Sequence, residues 1–253
     1  MDLELRNRTV IVSGGTKGIG RAIVEAFADE GANISFCARN VDDVTTTELA
    51  LAQKGVKAKG TVVNVGDPNM LSAWVNATAE EFGGIDMVVA NASALAVANE
   101  PQNWEDSFHI DMMGTVNLCQ AAVPHMKHSS VKSLLAISSV SGREASFSSG
   151  PYGTFKTAII GYMAGLALSL AADGYRANTV SPGHTYFDGG TWQKTELDNP
   201  DLFTHAMALN PTGRMGTAEE VAAGVVFLSS PQASRISGTN LVIDGAMTRG
   251  IQL

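Results

Sequence analysis

The sequence of 253 residues lacks the features of several specialised classes of protein. Its two cysteines, Cys37 and Cys119, are far apart and do not have the spacing of metal ligands, so we expect neither a disulfide framework nor a zinc site. The five histidines, among them His184, show no metal-binding spacing either, and we interpret them as surface or helix-capping residues. No bound metal is therefore expected.

Basic residues are also in short supply. The chain has 17 lysines and arginines against 25 acidic residues, and the net charge of −8 argues against general attraction to nucleic acid or to anionic membranes. We find no run in the sequence that is long and apolar enough to span a bilayer. The first ten residues carry acidic groups where a secretory signal would carry basic ones. We therefore expect a cytoplasmic protein whose partners include neither nucleic acid nor a membrane.

What the sequence has instead is an alternation of short apolar runs and longer helical patterns, in a chain that is 45% hydrophobic. Strands are predicted at residues 9–13, 34–38, 61–65, 86–90, 133–138, 177–181 and 240–243, and helices at 20–30, 42–53, 70–82, 104–127, 152–173 and 219–228. Thr217 forms a capping-box pattern with Glu220 before the last helix. The alternation predicts a parallel sheet covered by helices on both faces, that is, a single doubly wound α/β domain of the Rossmann type over residues 1–253.

A glycine-rich segment, residues 13–20, joins the first predicted strand directly to the first predicted helix. A strand, a glycine turn and a helix N-terminus together can bind a pyrophosphate, because backbone N–H groups reach it where no Cβ intervenes. Gly14, Gly18 and Gly20 give the spacing G-x-x-x-G-x-G rather than the commoner G-x-G-x-x-G. We predict a dinucleotide site here, the alternative being an ordinary glycine-rich turn.

The end of the second predicted strand indicates which dinucleotide is bound. An acid at this place would bind the 2′-hydroxyl of the adenosine ribose, but the sequence has Arg39 here and no acid before Asp42. Arginine suits bidentate contact with a phosphate, and Lys17 in the glycine segment adds a second cation. Two cations and no carboxylate favour NADP over NAD, unless one or both cations are merely solvated surface charges.

Tyr152 and Lys156 open a predicted helix four residues apart, which places both on one face of that helix. A free tyrosine, with a pKa of about 10, is a poor acid at neutral pH, but a neighbouring ammonium stabilises its phenolate. Ser139 stands upstream at the end of a predicted strand, the edge where ligands bind in open α/β sheets. The three side chains are therefore candidates for an acid–base site.

In these motifs the sequence resembles the short-chain dehydrogenase/reductase family, in its compact branch of about this length. The resemblance runs through nearly the whole chain: the glycine segment, Asn91 to Ser93, Ser139 with Tyr152 and Lys156, residues 178–183 (NTVSPG), 213–221 (GRMGTAEEV), Gly238 and 242–245 (VIDG). It implies an enzyme that interconverts a ketone and a secondary alcohol by hydride transfer, and the cations Lys17 and Arg39 favour NADP as its cofactor.

The resemblance also implies roles for individual residues. Tyr152 would exchange a proton with the substrate oxygen, Ser139 would hydrogen-bond that oxygen, and Lys156 would hold the nicotinamide ribose and assist the tyrosine. The cofactor would be bound by Gly14, Thr16, Lys17, Gly18, Ile19, Gly20, Arg39, Asn64, Val65, Asn91, Ala92, Ser93, Tyr152, Lys156, Pro182, Gly183 and Thr185.

Three residues depart from the pattern of the family. Ser93 replaces a usual glycine and adds a side chain close to the cofactor. Asn64 replaces an acid at the end of the third strand, where its amide can still donate a hydrogen bond to the adenine. Asp111 stands where the catalytic asparagine, which positions a water linked to the lysine, is expected. The carboxylate keeps the hydrogen-bond acceptor, but it loses the N–H donor and adds a charge.

Asp111 is therefore included among the catalytic residues with an altered role. We hypothesise that it pairs electrostatically with Lys156 and weakens the influence of the lysine on Tyr152. The alternative is that Asn117 or a bound water takes over the role of the missing asparagine, and that Asp111 is a tolerated variant.

Residues 184–212 are unlike a strand or a long helix, and we interpret them as a substrate loop or lid. The adjacent Gly189 and Gly190 would allow it to move. Apolar and aromatic residues here and elsewhere favour a largely apolar or aromatic small-molecule carbonyl substrate: Tyr186, Phe187, Trp192, Ala94, Leu95 and Phe147.

The resemblance further implies a homodimer or homotetramer, and small residues along the helix that begins with Tyr152 would permit close helix pairing. Two other functions stay open at this point. One is a dehydratase or epimerase that uses the same tyrosine and lysine. The other is a regulatory protein that binds nucleotide with weak or no turnover.

Overall fold

The computed structural model describes residues 1–145, 148 and 150–250. Its strands are β1 (Thr9–Ser13), β2 (Asn33–Ala38), β3 (Ala58–Val62), β4 (Met87–Ala90), β5 (Ser133–Ile137), β6 (Arg176–Pro182) and β7 (Asn240–Ile243). Its α-helices are α1 (Gly18–Asp29), α2 (Val41–Ala52), α3 (Pro68–Phe82), α4 (Pro101–Asp106), α5 (Gly114–Ala122), α6 (Pro151–Leu170), α7 (Thr191–Asp198), α8 (Pro200–Ala208) and α9 (Ala218–Ser229).

The seven strands that the structure describes form one parallel sheet in the order β3-β2-β1-β4-β5-β6-β7. The chain starts at β1, runs outward to β3, and returns to β4 on the other side of β1. The winding therefore reverses between β1 and β4, and open α/β sheets bind ligands at the carboxyl ends of such strands. The prediction of a doubly wound α/β fold is confirmed.

Helices cover both faces of the sheet because the central strands are apolar at successive positions; all five residues of β1 are buried. One face packs against α1, α2 and α9, with Phe27 and Phe36 among its fully buried side chains. The other packs against α3, α5 and α6, with Trp74 and Leu118 in its core. Each large apolar side chain buried in this way contributes about 1.5–3 kcal/mol. The two layers thus hold the strand ends in fixed positions.

The long helix predicted at residues 104–127 is not continuous. It consists of α4, a π-helical turn over Ser107–Met113, α5, and a 3-10 turn over Val123–Met126. The spacing of apolar residues does not reveal a π-helical turn, because the chain stays helical on both sides of it. Such turns occur frequently at functional sites, and Asp111 lies within this one.

Two other segments also differ from the prediction. Strand β3 begins and ends three residues earlier than predicted, because it is an edge strand that is only partly buried, while Val63 and Val65 are buried beyond its end. Residues 184–212 contain the short helices α7 and α8 rather than an irregular loop. The capping box between Thr217 and Glu220 is confirmed at the start of α9.

Helix α6 corrects the expectation that no segment is long and apolar enough to span a membrane. With its 3-10 extension it covers Pro151–Asp173, and its most apolar window has a mean hydropathy of 1.5, with 22% of that window buried. Length and composition alone are weak evidence for a membrane span, since core helices meet the same criteria. This helix packs against β6 and carries the two predicted catalytic residues Tyr152 and Lys156 near its start.

Candidate active site

A cleft of about 950 Å³ lies at the carboxyl edge of the sheet. Its walls contain these predicted site residues: Gly14, Thr16, Lys17, Ile19, Gly20, Arg39, Asn64, Val65, Asn91, Ala92, Ser93, Ser139, Tyr152, Lys156, Pro182, Gly183 and Thr185. Gly18 and Asp111 do not line the cleft. Gly18 lies under the ring of Phe187, and Asp111 is buried against Lys156. The structure thus brings the predicted nucleotide and catalytic residues to one site.

The glycine segment is shaped by contacts that leave no room for side chains. A Cβ on Gly20 would lie 1.9 Å from the carbonyl oxygen of Gly14, and Gly14 itself has a φ of +72°. The side-chain amide of Asn91 donates to the carbonyl oxygens of Ser13 and Gly14, each at 3.0 Å. Asn91 therefore braces this turn from the end of β4. The resulting cradle at the N-terminus of α1 fits a pyrophosphate group.

The two cations predicted at the adenosine end differ in their surroundings. Arg39 is exposed where it lines the cleft, whereas the ammonium of Lys17 lies 2.8 Å from the carboxylate of Asp43. Asp43 lines the cleft as well, so the prediction of no carboxylate at this place was wrong. An acid in the first turn of a helix is common, and the sequence gives no sign that this one reaches Lys17.

Hydrogen bonds fix both the backbone and the side-chain ammonium of Lys156. Its backbone carbonyl accepts a hydrogen bond from the hydroxyl of Ser138 at 2.9 Å, and its Nζ donates to the backbone carbonyl of Ile137 at 3.0 Å. The Nζ lies 5.6 Å from the centre of the Tyr152 ring. Both side chains face the cleft from the start of α6, one turn apart.

The hydroxyl of Ser139 is directed by its own loop. Its Oγ accepts the backbone N–H of Ser141 at 3.1 Å, so its proton remains available to a ligand in the cleft. The Oγ of Ser141 lies 2.6 Å from the Oγ of Ser148, and both residues line the cleft. Neither Ser141 nor Ser148 was predicted as a cleft residue, because neither shows a distinctive spacing in the sequence.

Asp111 forms an ion pair with Lys156, with 3.1 Å between Oδ1 and Nζ, and the side chains are only 1% and 3% exposed. Burial alone would lower the pKa of Lys156, but the charge of Asp111, followed by that of Tyr152, raises this pKa above its ordinary value. The lysine is therefore held as an ammonium. Asn117, the alternative considered from the sequence, does not line the cleft.

Part of the predicted substrate loop closes over the cleft. The ring of Phe187 lies against the glycine segment, where a Cβ on Gly18 would be 2.4 Å from it. The residues proposed to contact substrate divide into three groups: Phe187, Trp192 and Leu95 line the cleft, Tyr186 and Ala94 do not, and Phe147 lies outside the described residues.

The interpretation of the histidines as surface or capping residues was wrong for His184. This residue lines the cleft, its ring centre lies 4.4 Å from that of Trp192, and its Nδ1 lies 3.3 Å from the amide nitrogen of Asn210. Burial lowers the pKa of His184, and a hydrogen bond with the backbone of Ala206 offsets part of this effect. The neutral ring thus connects α7 to the end of α8. Its place directly after Pro182 and Gly183, at the end of a strand, was the signal that could have identified it.

Within the described part of the chain, no group of three or more histidine, cysteine, aspartate or glutamate side chains could hold a metal ion. Burial raises the pKa of Cys37 and of Cys119 to about 12, so neither is a reactive thiolate at neutral pH.

The fold and the cleft together define a class of protein: an α/β protein of the Rossmann type in which a dinucleotide cradle adjoins a serine, a tyrosine and a lysine. Comparisons with known proteins agree with this description. A family model described as enoyl-(acyl carrier protein) reductase matches residues 14–248. Isoepoxydon dehydrogenase of Penicillium expansum is 39% identical over 253 residues, which cover 98% of this chain and 97% of that protein.

Two more distant proteins extend the comparison. A 3-oxoacyl-(acyl-carrier-protein) reductase of Vibrio cholerae is 29% identical over 97% of this chain and 99% of its own. The solved structure of L-sorbose reductase from Gluconobacter frateurii, complexed with NADPH and L-sorbose, has a TM-score of 0.91 and 28% identity, and covers 99% of this chain and 100% of that one. The chain belongs to the short-chain dehydrogenase/reductase family, whose members bind a nicotinamide cofactor and act on CH–OH and C=O groups.

Proposed function

We propose that the protein is an NADP-dependent oxidoreductase that interconverts a ketone and a secondary alcohol, with Tyr152 as its acid and base. The observation that carries this proposal is the convergence of Ser139, Tyr152 and Lys156 in the same cleft as the glycine cradle and Arg39. A carbonyl placed beside these three side chains lies next to a proton donor and to the site that fits the cofactor.

The cofactor, when bound, supplies the hydride, and the residues of the chain manage the proton and the charge on the substrate oxygen. Tyr152 donates its phenolic proton to that oxygen during reduction and takes it back during oxidation. Ser139 donates a hydrogen bond to the same oxygen as negative charge develops, since its hydroxyl proton is not needed for the bond with Ser141. Lys156, held as an ammonium, stabilises the phenolate of Tyr152.

The preference for NADP over NAD rests on Arg39 and Lys17. A 2′-phosphate carries negative charge, and a guanidinium binds it better than it binds a neutral hydroxyl. The carboxylate of Asp43 opposes this preference, because it already forms an ion pair with Lys17. We expect the phosphate to compete with Asp43 for the lysine. The L-sorbose reductase to which the chain is similar was solved with NADPH.

We propose a small carbonyl compound with an apolar or aromatic body as the substrate. Leu95, Val97 and Trp192 supply apolar walls to the cleft. His184 and Ser141 add polar atoms to the same cleft, so a substrate that also carries a hydroxyl group can be accommodated. The similar proteins named above act on isoepoxydon and on L-sorbose, both small molecules according to their names.

We also propose that the protein is a cytoplasmic homodimer or homotetramer that pairs through α6. The exposed face of this helix carries Leu168, which is 84% exposed, and a Cβ on Gly161 or Gly165 would meet nothing within 4 Å. A helix face that is apolar and carries small side chains allows a second helix to pack closely against it, and such packing removes the apolar surface from water. Sedimentation of the wild-type protein and of Leu168→Glu tests this proposal: we expect an oligomer and its dissociation, and a monomeric wild type would refute it.

The experiment for the main proposal is a titration with NADPH and NADH followed by turnover of a panel of ketones. We expect NADPH to be bound about tenfold or more tightly than NADH, a difference of about 1.4 kcal/mol, and to be oxidised when an apolar or aromatic ketone is present. Arg39→Ala should remove most of the preference. Equal binding of the two cofactors would refute the NADP assignment, and NADPH binding without turnover of any ketone would instead favour a regulatory nucleotide-binding protein.

A further inference from the structure

The carboxylate of Asp111 receives three hydrogen-bond donors, two from the neighbouring residues Ser93 and Ala94 and one from Lys156. Its Oδ1 accepts from the hydroxyl of Ser93 at 2.5 Å and from the Nζ of Lys156 at 3.1 Å. Its Oδ2 accepts from the backbone N–H of Ala94 at 2.9 Å. The side chain is buried, so no solvent replaces these partners, and both oxygens are needed as acceptors.

An asparagine cannot satisfy the same donors. An amide has one acceptor oxygen and one NH₂ group, whereas here each side of the carboxylate faces at least one N–H or O–H donor. In one orientation the NH₂ of an asparagine would face Lys156 and Ser93, and in the other it would face the N–H of Ala94. The carboxylate at position 111 therefore matches its surroundings in this chain.

The hydroxyl of Ser93 has a fixed direction. Its Oγ accepts the backbone N–H of Leu95 at 3.1 Å, which leaves its single proton for Asp111. Leu95 has a φ of +52°, in the left-handed region that residues other than glycine rarely adopt. Ser93 and Leu95 both line the cleft. Through Ser93, the wall of the cleft is thus linked to the carboxylate that holds Lys156.

We infer that Ser93 is a positioning residue: its hydroxyl holds the Asp111 carboxylate in the orientation that binds Lys156, and thereby sets the position of the ammonium beside Tyr152. The inference rests on the proposed function, in which Lys156 assists Tyr152. Because Ser93 and Lys156 share the same oxygen of Asp111, loss of the hydroxyl removes one of the three bonds that fix the orientation of the carboxylate and leaves those to Ala94 and Lys156. The lysine then keeps its bond to Ile137, but its second partner is held less firmly.

A second serine–aspartate pair, at the amino ends of the strands, provides a matched control. The hydroxyl of Ser129 donates to Oδ1 of Asp86 at 2.5 Å, and its Oγ accepts the N–H of Val131 at 3.0 Å. This arrangement has the same bonds as Ser93 with Asp111 and Leu95, but neither Ser129 nor Asp86 lines the cleft. Replacement of Ser129 measures what such a hydrogen bond contributes to folding alone.

The test uses Ser93→Ala, Ser93→Thr, Asp111→Asn, the double variant S93A/D111N and the control Ser129→Ala. We expect Ser93→Ala to lower kcat with NADPH and a ketone about tenfold, with KM for NADPH changed by less than about twofold. Ser93→Thr, which keeps the hydroxyl, should restore most of the loss. In the Asp111→Asn background, Ser93→Ala should change kcat by less than about twofold, because its effect passes through the carboxylate. Ser129→Ala should lower Tm but leave kcat unchanged.

A second measurement, thermal unfolding of the cofactor-free variants, does not depend on turnover. We expect Ser93→Ala to lower Tm clearly in the parent and much less in the Asp111→Asn background. Equal effects of Ser93→Ala in both backgrounds, in kcat or in Tm, would overturn the inference, as would a kcat unaffected by Ser93→Ala. A wild-type protein without turnover would refute the proposed function instead, and the unfolding data would still decide the role of Ser93.

Discussion

Two serine–aspartate pairs, one at the amino ends of the strands and one at the carboxyl ends, form nearly the same hydrogen bonds. At the amino edge, Asp86 accepts the hydroxyl of Ser129 at 2.5 Å and the backbone N–H of Thr9 at 2.8 Å. At the carboxyl edge, Asp111 accepts the hydroxyl of Ser93 at 2.5 Å and the N–H of Ala94 at 2.9 Å. In both pairs one carboxylate oxygen binds the serine and the other binds a backbone group.

The pairs differ in the cation that each carboxylate meets. Asp86 has Arg8 at 3.7 Å, with side chains 36% and 17% exposed, whereas Asp111 has Lys156 at 3.1 Å, with both side chains almost fully buried. Water screens the first pair and is excluded from the second. The same local hydrogen bonds therefore fasten strand ends at one edge, and at the other they determine the charge beside the cleft. The role of a serine–aspartate pair therefore depends on whether it lies at the amino ends or at the carboxyl ends of the strands.

The largest expected effect is on stability. Lys156→Met leaves the carboxylate of Asp111 buried without a cation, which typically costs about 3–5 kcal/mol and, at this size, lowers Tm by about 10 °C. The matched variant Arg8→Met breaks an exposed pair and should cost about 0–1 kcal/mol. Urea unfolding of both variants measures the difference. Equal losses of unfolding free energy in the two variants would mean that burial does not make the Asp111–Lys156 pair more important for stability than the Asp86–Arg8 pair.

The next effect concerns activity and its dependence on pH. Asp111→Asn should lower kcat about tenfold, or about 1.4 kcal/mol, whereas Asp86→Asn should lower stability by about 1–3 kcal/mol and leave kcat unchanged. Asp111 raises the pKa of Lys156, so without it the lysine loses its proton at a lower pH. The limb of the pH–rate profile to which Lys156 contributes should therefore move to lower pH. A profile unmoved by Asp111→Asn would show that the ion pair has no part in the proton transfer.

A third carboxylate extends the comparison to the mouth of the cleft. Asp43→Asn releases Lys17 from its ion pair, so NADPH should bind about threefold more tightly, within the range of about 0.2–1 kcal/mol typical of exposed pairs. The effect should shrink at high salt. Asp42→Asn, a neighbour that does not line the cleft, is the control. Fluorescence titration with NADPH checks this prediction, and weaker binding to Asp43→Asn would contradict it.

The smallest expected effect comes from His184. Burial lowers its pKa in the folded state below the value of about 6.5 in the unfolded chain, so its neutral form contributes stability above that pH. This contribution is lost as the pH falls below 6.5 toward the folded pKa. Between pH 7.5 and 5.5 the wild-type Tm should therefore fall by about 1 °C more than that of His184→Gln. His128→Gln, which replaces an exposed histidine, should behave like the wild type.

The sequence predicted the features of the fold and of the site that follow from local patterns of residues along the chain. The buried strand β1 and the partly buried strand β7 were both predicted to the residue, because each is a short apolar run that polar turns delimit. The order of strand, glycine turn and helix indicated the nucleotide cradle, and the spacing of Ser139, Tyr152 and Lys156 indicated the catalytic end. All of these features depend on residues that are close in the chain, or on the general geometry of parallel sheets.

Features that depend on contacts between distant residues were not predictable in the same way. The substitution at Asp111 is visible in the sequence, but its bond with Ser93, eighteen positions away, is not, because nothing in the spacing places the two side chains together. The contact between Lys17 and Asp43 was missed for the same reason. The π-helical turn around Asp111 leaves no mark on helical periodicity, and the edge strand β3 was misplaced because it is not buried on both faces.

The proposed transfer of a proton by Tyr152 in an NADPH-dependent reduction can be tested with a single pair of proteins. Wild-type protein and Tyr152→Phe, which lacks only the hydroxyl, are each saturated with NADPH, mixed with a ketone that the wild type reduces, and followed through a single turnover. We expect equal NADPH affinity within about twofold and a rate for Tyr152→Phe lower by about 10²–10⁴-fold. A variant that oxidises NADPH within about tenfold of the wild-type rate would show that Tyr152 is not the proton donor.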